Sequence, residues 1–258
     1  MDMHEDTGRE FWRDALGAGG LTTIPRWTTT PAPGSARHDV QVPDELTQGL
    51  RRLAKEFGVP ATSLVLAAHA RVLAVLSGED EAVAGCVPAP GARPLPCRVA
   101  TDVPSWRSLV TAAHDTVSRL TRYQDFPVEA LRQQLAITGP VSEAEFDPHG
   151  GDGDVVGGTV LRLSVVNGAD GVDGADGTDG AVVLRLRYRT DVLDEEAAGR
   201  IAGYHLAALE QIVSGPDTAP ASVVSDPEVA FQVEGLAGRR RELPGLRVHE
   251  LFEERVRA

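Results

Sequence analysis

The stretch from Thr62 to Leu76 limits the possible folds of this chain more than any other. Eleven of its fifteen residues are Leu, Val or Ala, and they fall on every side of a helical wheel. A helix that is apolar nearly all round has to be covered nearly all round, so this one belongs in the interior. It is too short to cross a bilayer, which takes about 20 apolar residues, and no other apolar run is longer. Ser77-Gly78-Glu79-Asp80 then reads as a turn, Glu81 to Val87 as a buried strand and Pro94 to Val99 as another.

The rest of the chain supplies elements to cover that helix. Residues 7–16 predict a short helix, followed by a Gly-Thr-Pro linker to about Arg37 and a brief strand over His38 to Val42. Asp44 is expected to cap a helix with Leu46, Leu50, Leu53 and Phe57 on one face, and Gly58 ends it. Trp106, Leu109, Val110, Ala113, Val117 and Leu120 recur at helical spacing, predicting a helix over 105–120 with one buried face. The chain turns at Gln124-Asp125 and restarts as a helix near Pro127, whose fixed φ suits a first helical turn. Residues 137–158 are polar and glycine-rich and read as a flexible loop. Thr159 to Val166 and Ala181 to Tyr188 alternate and predict neighbouring antiparallel strands joined by a flexible Gly/Asp-rich loop, 168–180. Asp194 starts a last helix with Ala198, Ile201, His205, Leu209 and Ile212 inward, and Gly215-Pro216 stops it.

Three of these pieces are more particular than generic punctuation. Tyr123-Gln124-Asp125-Phe126-Pro127-Val128-Glu129 resembles the His-Gln-Asp-x-Pro-Phe-Glu motif of nonribosomal peptide synthetase condensation domains, with Tyr123 and Val128 as departures. Residues 60–87 resemble that family's helix, its Leu-Ser-Gly-x-Asp turn and the strand after it. Tyr188-Arg189-Thr190-Asp191-Val192-Leu193-Asp194 resembles its Tyr-x-x-Asp-Leu-Phe-Asp passage from strand to helix. Their order matches the second half of a condensation domain and covers residues 7–215. The resemblance implies an α/β (α+β) fold, a single chloramphenicol-acetyltransferase-like lobe with a mixed β-sheet covered by helices. The motif positions Tyr123, Gln124, Asp125, Pro127, Glu129, Tyr188, Asp191 and Asp194 are expected to be structural; Gln124 and Asp125 would satisfy orphan N–H groups at the new helix start.

The departures matter as much as the matches. The family's first lobe carries His-His-x-x-x-Asp-Gly, but the seven histidines here, at 4, 38, 69, 114, 149, 205 and 249, are never adjacent. The Gly-x-Phe-Val-Asn-Thr element before the second strand of the 81–99 pair is missing, and residues 137–158 stand where the family has an apolar crossing arm. The chain is therefore expected to be a truncated condensation domain, 1–215, with no catalytic residue and no acid–base group of its own. Residues 216–245 are expected to be a linker. Residues 246–258, with Leu246-Arg247-Val248-His249-Glu250-Leu251-Phe252-Glu253, resemble the first helix of an adenylation domain.

Composition sets the choice of partners. The net charge of −13 argues against nucleic acid or an anionic membrane. Cys86 and Cys97, with no secretory leader in the polar residues 1–6, read as reduced thiols of a cytoplasmic protein rather than a disulfide framework. No metal or cofactor is expected in this region; the resemblance implies phosphopantetheine only on a partner carrier domain. The Asp-Gly repeat at 169–180 spaces its acids three apart, unlike a calcium loop. His69 and His114 are expected to be hydrogen-bonded core or boundary residues, and His149 a loop residue. Arg239-Arg240-Arg241 reads as solvated linker. Three functions remain in view: an interaction platform for the adjacent adenylation domain, half of a split amide-forming enzyme completed by another protein, and a docking module for a carrier protein or a second copy of itself.

Overall fold

The computed structural model describes residues 3–17, 22–139, 142–155, 157–167, 181–235, 237–238, 245 and 247–257. The chain forms two compact units, Met1–Val223 and Val224–Ala258. The first contains α1 (Met3–Gly17), β1 (Ser35–Gln41), α2 (Asp44–Phe57), α3 (Ala61–Ser77), β2 (Glu81–Cys86), β3 (Leu95–Ala100), α4 (Trp106–Arg122), α5 (Val128–Gln134), β4 (Ala144–Asp147), β5 (Leu161–Asn167), β6 (Val182–Arg189) and α6 (Glu195–Ser214). The second contains α7 (Asp226–Ala230), a π-helical turn over Phe231–Gly235, and α8 (Val248–Arg257).

The strands form one mixed sheet in the order β1-β6-β5-β4-β2-β3. β4 runs parallel to both β2 and β5, and the other neighbours are antiparallel. As its composition requires, α3 is enclosed: it packs on β2 and β4, with α2, α4 and α6 around it. Leu64, Ala67, Ala68, Val72 and Leu73 are wholly inaccessible to solvent. On β6 the alternation is complete, with Val182, Leu184, Leu186 and Tyr188 buried and Val183, Arg185, Arg187 and Arg189 half-buried on the opposite face. Among the described residues no single helix is long and apolar enough to cross a membrane.

Several expectations need correction. Residues 137–158 are not a loop throughout, because Ala144–Asp147 is a fully buried inner strand. Its two acids have partners: Arg162 pairs with Glu145 at 2.7 Å, and Asp147 accepts the backbone N–H groups of His149 and Gly151 in the turn that follows. Within the expected linker, Thr22 and Ile24 are anchored in the lobe. Ile24 is fully buried and its N–H donates to Glu143, while Val83 N–H donates to Thr22 Oγ1.

Asp44 does not cap α2. Pro43 takes the cap position in an extended conformation, leaving Asp44 and Glu45 in the first turn, where their charge favours the helix dipole. Gly58 does end α2, at φ 68°, with its N–H on Ala54 O. The first unit also runs past Gly215: the N–H groups of Arg107 and Trp106 donate to Pro216 O and Thr218 O, and Val223 is buried. The 216–245 stretch contains α7 and the π-helical turn. The 168–180 loop and the Arg239–Arg241 cluster lie outside the described residues.

Candidate functional site

The motif at the α4–α5 corner fastens the first helix. α4 opens with Ser105, whose hydroxyl accepts Ser108 N–H, and closes at Tyr123, whose N–H bonds to Arg119 O and Leu120 O. The Tyr123 carbonyl accepts the indole N–H of the buried Trp12 at 3.1 Å. Its ring lies 5.3 Å from that of Phe11, and a Cβ on Gly8 would come within 3.3 Å of it. Arg119 stacks over Phe11 at 4.7 Å, and Arg9 approaches Phe126 at 6.0 Å. The tyrosine that departs from the family pattern is thus one of the residues against which α1 packs, beside α5 and β3.

Gln124 and Asp125 do not perform the expected capping. Both side chains are exposed, and α5 begins without a side-chain cap. The reason is Pro127 at the cap position: it has no N–H, so it removes a donor that would otherwise need a partner. Glu129, in the first turn, pairs with Arg132 at 3.1 Å.

The second motif launches α6. Tyr188 is buried at the end of β6, and burial pushes its phenol up, helped by Glu195 and Asp194. Asp191 makes a two-pronged pair with Arg189 at 3.0 and 2.5 Å, which holds its carboxyl below the usual range. Asp194 caps α6 by accepting Ala197 N–H at 2.8 Å. The two motifs serve different elements and do not assemble a reaction centre.

The imidazoles that sequence reasoning treated singly include one pair. His69 of α3 and His205 of α6 are both wholly buried, stacked with ring centres 5.3 Å apart and joined by a 3.0 Å Nδ1–Nε2 hydrogen bond. His205 Nδ1 lies 2.7 Å from Ile201 O, which can only accept, so that nitrogen carries the proton. His205 Nε2 is then the acceptor and His69 Nδ1 the donor, leaving His69 Nε2 as a bare lone pair with no partner among the described residues. Burial drives His69 well below its ordinary pKa and His205 to about 4. Both rings are neutral and closed off from solvent, so neither is placed to exchange a proton with a substrate. Spacing could not reveal the pairing of residues 136 positions apart.

A cleft lies at the ends of the parallel strands β2 and β4 and the start of α3. It has about 40 Å³ of free space, room for roughly three waters, and is lined by Ser63, Leu66, Cys86, Val117, Leu120 and Phe146 among others. Ser63 Oγ lies 3.3 Å from His114 Nδ1, and His114 Nε2 lies 3.4 Å from Ser118 Oγ. Cys86 and Cys97 are free and buried; the hydrogen bond between them and burial push the Cys86 thiol up. No group of three or more metal-ligating side chains occurs among the described residues.

No family model matches the chain. Among curated proteins it is 28% identical over 247 residues to the AMB antimetabolite synthetase AmbE of Pseudomonas aeruginosa, covering 86% of this chain and 11% of that protein. Among solved structures it resembles the X-domain in its complex with OxyB from teicoplanin biosynthesis, with TM-score 0.71, 20% identity, and 86% of this chain against 56% of the other. The first condensation domain of the calcium-dependent antibiotic synthetase gives TM-score 0.62 at 16% identity, covering 86% of this chain and 53% of that one. The four-domain nonribosomal peptide synthetase AB3403 gives TM-score 0.71 at 15% identity, covering 98% of this chain and 23% of that one. The chain spans about half the length of the X-domain and condensation-domain structures and about a tenth of the curated relative. Its fold is a single lobe of the condensation-domain type, a mixed six-stranded sheet with helices.

Proposed function

We propose that this chain is a non-catalytic condensation-like lobe of a nonribosomal peptide synthetase, working in the cytoplasm as a platform against which other parts of the assembly line pack. The observation that carries the reading is the state of its imidazoles. Amide formation between carrier-bound groups needs a proton-transfer or positioning group within hydrogen-bond reach of the reacting amine. The two buried histidines are locked in a neutral pair between α3 and α6, and the paired-histidine motif does not occur in the sequence.

The partner side of the reading draws on the comparisons. The X-domain, which includes a lobe of similar fold in about half its length, is known in complex with another protein, OxyB, which supports docking as a use for such a scaffold. The X-domain and condensation-domain matches each cover 86% of this chain, about the share taken by the unit ending at Val223; the four-domain synthetase covers 98%. That difference supports residues 224–258 as the connection into a following adenylation domain, with α8 as its first helix. Phe231, Val233, Phe252 and Val256 are exposed, which fits a segment whose covering lies elsewhere in the assembly. The test is a matched pair of proteins, the chain joined to its adenylation domain with and without residues 1–223. The platform reading expects the shortened protein to lose solubility and several degrees of melting temperature while keeping its amino-acid preference. Equal stability of the two would overturn it.

A further inference from the structure

The face of the sheet turned away from α3 carries a charge pattern that the fold does not require. Cross-strand register sets Glu145, Arg162, Arg187 and Arg37 in one line across β4, β5, β6 and β1. The next line is Asp147, Ser164, Arg185 and Asp39. Three arginines therefore stand side by side on adjacent strands about 5 Å apart, an arrangement that repels itself unless anions lie over it. In a chain of net charge −13 such a row is out of keeping with the rest of the composition.

Two anions stand in the sheet itself, with Glu145 on Arg162 at 2.7 Å and Asp39 on Arg185 at 2.9 Å, and the others come from residues 148–155, which follow β4 and lie over this face. Asp152 bridges Arg185 at 2.8 Å and Arg187 at 2.5 Å, and Asp154 meets Arg187 at 2.9 Å and Ser35 Oγ at 3.1 Å. Gly153 O accepts from Arg162 at 2.9 Å. The arginines beneath are covered, at 12–14% exposure, whereas Asp152 and Asp154 are 64% and 66% exposed. Among the described residues no backbone–backbone hydrogen bond ties 148–155 to the strands, so the contact rests on side-chain ion pairs and single carbonyls. Exposed ion pairs of this kind are weak in water. Arg37, at the end of the row, is exposed and near enough to Asp39 and Asp152 to help hold their carboxyls below the usual range, but makes no close ion pair among the described residues; Arg187 Nε is unsatisfied.

We propose that this arginine row is a docking surface for an extended acidic segment of a partner protein, carrying carboxylates two residues apart, for which Asp152-Gly153-Asp154 is the built-in stand-in. In an extended segment, side chains two residues apart share a face at about 6.5–7 Å, which lets both carboxylates reach the same sheet surface. Guanidinium groups hold carboxylates in two-pronged pairs, so binding depends on charge and is weakened by salt. The proposal deepens the platform reading and rests on it, naming the surface and the chemistry of what binds there.

The test uses the whole chain and a labelled peptide of residues 148–155, with its Asp→Asn counterpart as control. The double variant Asp152→Asn/Asp154→Asn removes the two carboxylates that cover Arg187 and should bind the acidic peptide at least tenfold more tightly than the unaltered chain, with the gain lost at 0.5 M salt. Adding Arg37→Gln, at an exposed position whose side chain makes no close ion pair among the described residues, should weaken that binding severalfold. A native melting profile is the control; where the double variant lacks one, Asp154→Asn alone takes its place. Equal binding of the acidic and amide peptides, or no binding by a variant that melts normally, would overturn the proposal. Either result would leave the platform reading standing, because that reading is judged by stability of the joined proteins.

Discussion

At the scale of single residues, His69 and His205 give the sharpest test of how this core is built. The folded-state pKa of His205 is about 4 against an ordinary 6.5, and that of His69 is also lowered, because burial opposes the charged ring. The unfolded chain takes up these protons at higher pH than the folded one. The stability the pair contributes is therefore whole above pH 6.5 and is lost as pH falls from 6.5 towards 4. For His205 this costs about 2 kcal/mol between pH 7 and pH 5, and His69 acts in the same direction. Urea melts at these two pH values should differ accordingly, and replacing both rings by leucine should flatten the dependence. A slope unchanged in that variant would mean that other groups set it. The pair was half legible in the sequence: His69 falls in an apolar helix and His205 on an inward face, but only the packing of α3 on α6 brings them together.

At the scale of elements, legibility followed burial pattern rather than polarity. α3 was readable because eleven apolar residues in fifteen leave no other place for it. β4 was not, because in Ala144-Glu145-Phe146-Asp147 the alternation is only four residues long and its acids resemble those of a loop. Those acids are buried because partners stand opposite: Glu145 lies beside Arg162 in register and accepts the Thr159 hydroxyl. Glu145→Ala should cost about 3–5 kcal/mol by leaving Arg162 uncompensated. Changing both residues to apolar ones of similar volume should cost much less, a contrast that chemical denaturation of the three variants measures. The α6 cap offers a smaller effect. Asp194→Ala should cost about 1 kcal/mol and Asp194→Ser should recover most of it, read from thermal melts. The α4–α5 corner teaches the opposite lesson to α3: its motif was conspicuous, yet Gln124 and Asp125 make no cap, and the contact that holds α1 comes from the ring and carbonyl of Tyr123.

At the scale of the whole molecule, the first unit is a sheet covered by helices around α3, and each unit presents its own kind of surface. One is the charged sheet face, where arginines are matched by acids from the strap that follows β4. The other is the apolar exposure of Phe231, Val233, Phe252 and Val256 in the second unit. The first unit keeps a well-packed core, and its buried histidine pair is turned inward. The central claim is that this scaffold does not itself form amide bonds. It is tested most directly by mixing the purified chain with two aminoacyl-loaded carrier proteins and measuring carrier-bound dipeptide by mass spectrometry over a single turnover. The account predicts dipeptide at the level of the protein-free control; dipeptide that rises in proportion to the amount of this chain would contradict it.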